Sequence, residues 1–234
     1  MKTPWSKAEI EALLARETYS YQRIELPHGL VTPGKERASS ASLIFPADLT
    51  GKTILDLGCN HGALCFEAVK RGAARVVGLD NSPDIIRRAR LLADAMGVSV
   101  EFEVRDLNAR PVDEAFDYVL CLNLLHHLDD PLLQLETMRK AARERLVIEA
   151  AGLSLLDYLR RLDVVPLYAF LLSVFPVIFV ARTPARKKVP AKLKYYFTRG
   201  ALKRILGHRE GFFKAIRTIS SPHKGRFLLI ADKS

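Results

Sequence analysis

TILDLGCNHG, residues 53–62, is the stretch of sequence that decides the fold. It predicts a short apolar strand over Thr53–Leu57, a glycine-containing turn, and a helix over Gly62–Arg71. Such a turn allows close backbone approach to a ligand, and free N–H groups at the helix start can hold an anion. The turn has neither the GxGxxG spacing nor the lysine and hydroxyl residue of a P-loop, which argues against nucleotide hydrolysis.

Strands and helices alternate beyond this stretch. Further strands are predicted over 75–79, 100–105, 117–122 and 145–149, with helices over 83–96 and 131–142. Five strands with helical crossovers predict a parallel, doubly wound α/β sheet. A helix over 198–206 leads to two apolar runs, 212–219 and 226–231, which we expect to pair as antiparallel strands at the sheet edge. The fold class is therefore α/β, with a mostly parallel seven-stranded sheet and an insertion after the fifth strand.

The length of 234 residues predicts one domain with an insertion. Residues 1–50 would form an N-terminal helix and an approach segment, the turn-rich stretch 21–46 that leads to the core. Residues 51–150 would form the ligand-binding core, 151–195 the insertion, and 196–234 the last helix and the closing strand pair. Ser6 and Glu9 fit a capping box, which predicts a helix over Lys7–Arg16. A second helix is expected over Lys35–Ile44.

Composition and charge narrow the function classes. With 49% hydrophobic and 26% charged residues, the chain is typical of a globular protein. Three cysteines without a CxxC pair, and an N-terminus without an apolar signal sequence, favour a reducing cytoplasmic compartment and no metal. The last 84 residues hold 17 of the 36 basic residues but only 4 of the 26 acidic ones. This asymmetry predicts RNA, an anionic membrane surface or an acidic substrate as a neighbour, or else a solvated basic face.

Residues 164–181 form an 18-residue run without a charged side chain. A membrane span usually needs about 20 apolar residues, and Pro166 and Pro176 interrupt helical pairing. A single crossing would also separate the last two strands from the sheet. The alternatives are an apolar lid over an acceptor pocket, a monotopic membrane patch beside the basic run 182–204, and a buried helix pair or dimer interface.

Polar residues follow three further strands. Asp80 ends the second strand, where a carboxylate can accept hydrogen bonds from both ribose hydroxyls of an adenosine. Asp106 follows the third strand, placed to accept a hydrogen bond from an adenine amine, and CLNLLHH at 121–127 closes the fourth strand. Parallel strands bind ligands at their shared carboxyl edge, so we expect these side chains to converge there.

This arrangement resembles the class I S-adenosylmethionine-dependent methyltransferases, which have a Rossmann-like sheet, over roughly residues 50–150. The resemblance implies that Asp56, Gly58 and Gly62 surround the methionine moiety of S-adenosylmethionine. It further implies that Asp80 holds the ribose, that Asp106 and Leu107 frame the adenine, and that Asn123 lies beside the methionine. Asn60 stands where the family usually has glycine, and asparagine tolerates left-handed backbone angles. The predicted cofactor-binding residues are Asp56, Gly58, Cys59, Asn60, Gly62, Asp80, Asn81, Asp106, Leu107 and Asn123.

A narrower similarity lies outside this core. YQRIEL at 21–26, GLVTPG at 29–34 and RFLLIA at 226–231 are similar to the methyltransferase group that contains the tRNA wobble-uridine carboxymethyltransferase. In that enzyme a tyrosine and an arginine help to hold a carboxylated donor. Arg226 matches the arginine, but His126 stands at the tyrosine position, so ordinary S-adenosylmethionine is the predicted donor.

The predicted chemistry is methyl transfer to a small, lipophilic acceptor, with O-methylation favoured. A sulfonium methyl group is a good electrophile, so the enzyme must mainly position the acceptor and exclude water. For a hydroxyl acceptor a base helps, and His126 or His127 stands at the right strand end with a pKa suited to neutral pH, although either could simply pack the loop.

Two other functions compete with this prediction. The first is a tRNA-modifying methyl- or carboxymethyltransferase acting at a wobble uridine, with RNA on the basic C-terminal third and Tyr195, Tyr196 and Phe197 stacking on bases. The second is a non-catalytic cofactor-binding protein that keeps the fold.

Overall fold

The computed structural model describes residues 4–151, 176–183, 192–208 and 212–233. The chain divides into two compact units, residues 1–106 with 116–120 and residues 107–115 with 121–234. The described helices are α1 (Lys7–Arg16), α2 (Ala38–Ile44), α3 (Ala63–Lys70), α4 (Pro83–Met96), α5 (Pro131–Ala141) and α6 (Arg199–Gly207). The described strands are β1 (Thr53–Leu57), β2 (Arg75–Asp80), β3 (Glu101–Val104), β4 (Phe116–Leu122), β5 (Ala142–Ala151), β6 (Ile178–Thr183), β7 (Lys192–Phe197), β8 (Ala215–Ser220) and β9 (Arg226–Asp232).

The first unit is built on parallel strands. β1 pairs with β2, with Thr53 opposite Arg75, and β2 pairs with β3, with Val77 opposite Glu101. Four consecutive residues of β1, Ile54–Leu57, are buried. Continuous burial of this kind is typical of a parallel strand covered on both faces.

Capping residues set the ends of two helices of this unit. At α1, the Ser6 side chain accepts a hydrogen bond from the Glu9 N–H, while Glu9 Oε2 accepts one from the Ser6 N–H at 2.7 Å. At α4, the Ser82 hydroxyl accepts a hydrogen bond from the Ile85 N–H, and Gly97 ends the helix in the left-handed conformation at φ +67°. Both helices have the bounds that the sequence predicts, because these signals are local.

Helix α2 begins three residues later than predicted. The Lys35 N–H donates to Tyr21 O at 3.0 Å, and the Arg23 N–H donates to Lys35 O at 2.9 Å. Lys35 is therefore held in a strand-like bridge by a segment distant in sequence, and the helix starts only at Ala38.

The second unit contains the antiparallel part of the sheet. β5 pairs with β9 over seven positions, from Arg145 opposite Asp232 to Ala151 opposite Arg226, and β8 pairs with the other side of β9. This confirms the prediction that the last two strands pair antiparallel. β8 starts at Ala215 rather than at Phe212, whose ring instead packs against the Arg139 guanidinium, with the guanidinium carbon 3.7 Å from the ring centroid.

β6 and β7 form a separate two-stranded antiparallel sheet that the sequence did not predict. β7 runs across the predicted boundary at 195/196. Residues 164–175 of the charge-free run and 184–191 of the basic run lie outside the described residues. The lid, the membrane patch and the buried helix pair therefore stay predictions.

The remaining strands form one seven-stranded sheet in the order β3-β2-β1-β4-β5-β9-β8. The predicted fold class, a mostly parallel, Rossmann-like α/β sheet, is confirmed. No helix within the described ranges is both long and apolar enough to cross a membrane.

Candidate functional site

The loop between β1 and α3 has three residues in the left-handed conformation, with φ values of +69° at Gly58, +53° at Asn60 and +88° at Gly62. A Cβ at position 62 would lie 2.5 Å from Cζ of Phe102, so this position accepts only glycine without a shift of that ring. Asn60 adopts the conformation that glycine would otherwise supply. The loop backbone is therefore tightly folded over the end of β1.

The backbone N–H groups of this loop are not free. Gly58 and Cys59 donate to Leu79 O at 2.8 and 2.9 Å, and Gly62 donates to Cys59 O at 3.0 Å. The other three donors also have partners: Asn60 N donates to Asp80, His61 N to the Asn60 side chain and Ala63 N to Gln22. The prediction that free N–H groups could hold an anion is therefore wrong for residues 58–63, because each of these N–H groups already donates to an acceptor within the protein.

Asp80, half-buried at the end of β2, is the carboxylate beside this loop. Its Oδ2 accepts from the Asn60 N–H at 3.2 Å, and its Oδ1 accepts from the Ser82 N–H at 3.1 Å. Each carboxylate oxygen has a further lone pair, so the group can also accept two hydroxyl donors. Asn81 next to it is exposed.

Asp56 lies beneath the loop rather than on its surface, with 3% of its area exposed. Burial raises the pKa of Asp56 to about 7, although the Cys65 thiol, which donates to its Oδ2 at 3.6 Å, and the charge of Arg37 act in the opposite direction. Cys59 and Cys65 are also buried, and burial raises the pKa of both thiols. Asp56 is therefore placed to support the loop from its buried side.

Two buried residues beside the loop were missed by the sequence analysis. Gln22 donates from Nε2 to Cys59 O and accepts from the Ala63 N–H, each at 3.2 Å. Arg37 is 4% exposed, close enough to Asp56 to lower its pKa, and its guanidinium carbon lies 5.9 Å from the Tyr21 ring centroid. Both belong to the approach segment, whose turn residues give no sign of contact with a loop more than 20 residues away.

His61 is a buried histidine of the loop, 5% exposed, with its ring 5.1 Å from that of Tyr19 in an edge arrangement. Neither of its ring nitrogens has a hydrogen-bond partner among the described residues. Burial and the charge of Arg88 lower the pKa of His61 to about 4, with Asp84 acting the other way. The imidazole is therefore neutral at pH 7.

We expect this histidine to make the protein less stable in acid. Its pKa is about 4 in the folded protein against an ordinary value of 6.5, so the unfolded chain binds the proton first. The free energy of unfolding should therefore fall as the pH drops from about 6.5 towards 4. Thermal melts of wild type and His61→Phe across this range test the assignment: the variant should lose less stability than the wild type, and parallel curves would contradict it.

The second unit holds the candidate acceptor residues. His126 and His127 lie in a short 3-10 helix, Leu125–His127, that follows β4, and their ring centroids are 4.0 Å apart. The Tyr196 ring of β7 stacks on His126 at 6.3 Å with an interplanar angle of 17°. His126 is half-buried and His127 exposed, so they are not equivalent.

The pKa of His126 is lowered to about 4, first by burial and then by the charges of His127, Lys194 and Arg226. The predicted pKa suited to neutral pH is therefore wrong for this residue. At pH 7 its ring is neutral and can accept a hydrogen bond, but the surrounding cations oppose its holding a proton.

A buried ion pair lies on the neighbouring strands of this unit. Glu149 of β5 is fully buried, and its Oε2 lies 3.2 Å from Nη1 of Arg226 on β9. The Ser221 hydroxyl donates to Oε1 of the same carboxylate at 2.5 Å. The Asn123 N–H donates to Glu149 O at 2.9 Å, and Asn123 is in the left-handed conformation at φ +58°.

The predicted residues fall into two groups. Asp56, Gly58, Cys59, Asn60, Gly62 and Asp80 come together around the loop of the first unit, and Asn123, His126 and His127 follow β4 in the second. Asp106 is exposed, and Leu107 is buried with its carbonyl accepting from Nε2 of Gln134 at 2.7 Å. In the part of the chain that the structure describes, no three metal-ligating side chains form a cluster.

Comparison with known families adds to this geometry. Residues 48–158 match a family described as a methyltransferase domain. Residues 48–158 therefore carry a methyltransferase domain. The match covers the loop, Asp80 and both histidines. It confirms the resemblance to S-adenosylmethionine-dependent methyltransferases that the sequence predicts. The narrower similarity to the wobble-uridine group stays a prediction.

Curated relatives share part of this methyltransferase domain. The ubiquinone biosynthesis O-methyltransferase of Neisseria meningitidis serogroup C is 40% identical over 89 residues, which are 36% of this chain and 37% of that protein. The protein of the same name from Xanthomonas oryzae pv. oryzae is 31% identical over 137 residues, 58% of this chain and 53% of that protein. The chain thus spans about half the length, or less, of these relatives.

Solved structures share the fold of the methyltransferase domain. Magnesium protoporphyrin IX methyltransferase from Synechocystis PCC 6803, with bound S-adenosylhomocysteine, has a TM-score of 0.60 at 23% identity over 84% of this chain and 81% of that one. The N-terminal domain of EvdMO1, also with bound S-adenosylhomocysteine, has a TM-score of 0.67 at 16% identity over 98% of both chains.

Proposed function

We propose that the protein is an S-adenosylmethionine-dependent methyltransferase that O-methylates a small lipophilic acceptor. The observation that carries the proposal is the half-buried Asp80 carboxylate beside the left-handed loop, inside the stretch that matches a methyltransferase domain. The relatives named for ubiquinone biosynthesis support an aromatic hydroxyl on a lipophilic molecule as the acceptor.

The residues of the first unit fit the proposed donor, which supplies a sulfonium methyl group. Asp80 would accept hydrogen bonds from the two ribose hydroxyls, since each of its oxygens already has one N–H donor and retains a lone pair. The folded loop would let the methionine moiety approach the backbone closely. Arg37, a buried cation whose charge acts on Asp56, would complement the charge of the methionine carboxylate. Asp106, the last residue of this part of the unit, would lie beside the adenine.

The pairing of Arg226 supports the ordinary donor over a carboxylated one. Its guanidinium is already paired with the fully buried Glu149. Binding a donor carboxylate there would bring a second anion to a cation that Glu149 needs, at a considerable electrostatic cost.

The residues of the second unit fit an acceptor hydroxyl. The neutral His126 ring would accept a hydrogen bond from this hydroxyl. As the oxygen–methyl bond forms and the sulfur–methyl bond breaks, the hydroxyl proton leaves through His126 to solvent. The positive charges of Lys194 and Arg226 that lower the pKa of His126 would stabilise a phenolate-like oxygen in the same place.

The tRNA-modifying alternative is not favoured. Phe197, one of its three stacking residues, is 2% exposed, and Tyr196 is stacked on His126. A buried Phe197 ring cannot stack on a base, and one face of the Tyr196 ring is already occupied by His126.

Transfer of radiolabelled methyl from S-adenosylmethionine tests the proposal. We expect the purified protein to label the organic-soluble fraction of an extract of the source organism and to methylate an alkyl-substituted catechol at oxygen. His126→Ala should lower kcat about 100-fold, within the range for a proton-transfer residue, with little change in donor affinity. Label in the RNA fraction instead, or no label with any acceptor, would overturn the proposal; Asp80→Ala provides the inactive control.

A further inference from the structure

Helix α3 lacks a cap from its own sequence. Its N-cap residue is Gly62, which has no side chain to accept a hydrogen bond from the first turn. The first N–H groups of a helix have no partner within the helix and need an acceptor from elsewhere. At Ala63 that acceptor is Oε1 of Gln22, 41 residues earlier in the chain, at 3.2 Å.

Gln22 holds both ends of the turn that leads into this helix. While its Oε1 accepts from the Ala63 N–H, its Nε2 donates to Cys59 O at 3.2 Å. One buried amide thus spans the stretch from Cys59 to Ala63, which includes the left-handed residues Asn60 and Gly62.

The backbone of Gln22 is itself fixed by the approach segment. The hydroxyl of the fully buried Thr32 donates to Gln22 O at 2.7 Å and accepts from the Ile24 N–H at 2.8 Å. A Cβ at Gly34 would lie 2.6 Å from the Gln22 N atom, so the backbones at positions 34 and 22 approach each other more closely than any residue with a Cβ allows. The amide of Gln22 therefore has little freedom to move away from the loop.

We propose that Gln22 is a positioning residue for the donor: it couples the order of residues 21–35, the first part of the approach segment, to the conformation of the loop between β1 and α3. This inference rests on the proposed function, since the loop is taken to bind S-adenosylmethionine. Because coupling is reciprocal, donor binding should also stabilise the approach segment.

The test compares Gln22→Met, which keeps the size of the side chain but loses both hydrogen bonds, with wild type. We expect the Kd for S-adenosylhomocysteine, measured by calorimetry, to rise about tenfold or more, with KM for the donor rising more than kcat falls. The matched control is Ser6→Ala, which removes the capping box of α1 in the same unit without touching the loop. It should lower the melting temperature but leave the Kd unchanged.

Hydrogen exchange of the wild-type protein tests the same coupling without a variant. We expect exchange of the backbone amides of residues 21–35 to slow when S-adenosylhomocysteine binds. An unchanged Kd in a folded Gln22→Met protein, or unchanged exchange at saturating ligand, would overturn the role of Gln22. If the wild type does not bind S-adenosylhomocysteine at all, the proposed function itself fails, which is a distinct outcome.

Discussion

Asp80→Ala is expected to raise the Kd for S-adenosylhomocysteine by a factor of 100 or more. The variant removes a carboxylate that would accept two ribose hydroxyls, and hydrogen bonds to a charged group contribute about 1.5–3 kcal/mol each. It also removes the acceptor of the Asn60 and Ser82 N–H groups, so the loop itself should loosen. Isothermal titration calorimetry with purified protein measures the effect.

The matched control for this prediction is Asp84→Ala. Asp84 is an exposed carboxylate in the first turn of α4, four residues further along, where it pairs with Arg87 and Arg88. Exposed ion pairs contribute little, so this variant should bind the ligand like wild type and melt at most slightly earlier. Equal affinities of the Asp80→Ala and wild-type proteins would show that the donor site has been placed wrongly.

The second large effect is expected on stability, from Arg226→Met. This substitution removes the cation that lies against Oε2 of the fully buried Glu149 carboxylate, while the Ser221 hydroxyl still donates to its Oε1. Breaking a buried ion pair from one side typically costs about 3–5 kcal/mol in the free energy of unfolding. Urea unfolding followed by circular dichroism measures the loss. Adding Glu149→Leu to the same chain should recover much of it, because the uncompensated charge is then gone.

Arg217→Met gives the comparison for this pair. Arg217 lies on the adjacent strand β8, and its 3.9 Å contact with Asp232 leaves more than half of its side chain exposed. Its replacement should cost less than about 1 kcal/mol. If Arg226→Met is as mild as Arg217→Met, Glu149 has another source of compensation, and the argument from Arg226 against a carboxylated donor loses its basis.

The candidate site shows where sequence reasoning reached its limit. Asp80 and the glycines of the loop could be named from the sequence, because a residue at the end of a parallel strand has its position set by that strand. Gln22 and Arg37 could not, since they lie in a segment of turn residues and their partners Cys59 and Asp56 are 37 and 19 residues away in the chain. The pKa of His126 was also mispredicted, because burial and the charges of Lys194 and Arg226 are properties of the folded unit.

The sequence by itself determined the elements whose signals are local. The cap of α1 at Ser6, the Ser82–Pro83 start of α4 and the apolar run of β1 gave bounds that the structure reproduces, because the residues that form these signals are neighbours in the chain. Only the tertiary structure decided the late start of α2, the β6–β7 hairpin and the partners of the loop N–H groups. The β6–β7 pairing joins strands that are close in sequence, with Thr183 opposite Lys192. The start of α2 and the acceptors that Leu79, Asp80 and Gln22 supply to the loop depend instead on hydrogen bonds between segments far apart in sequence, whose formation no local pattern encodes.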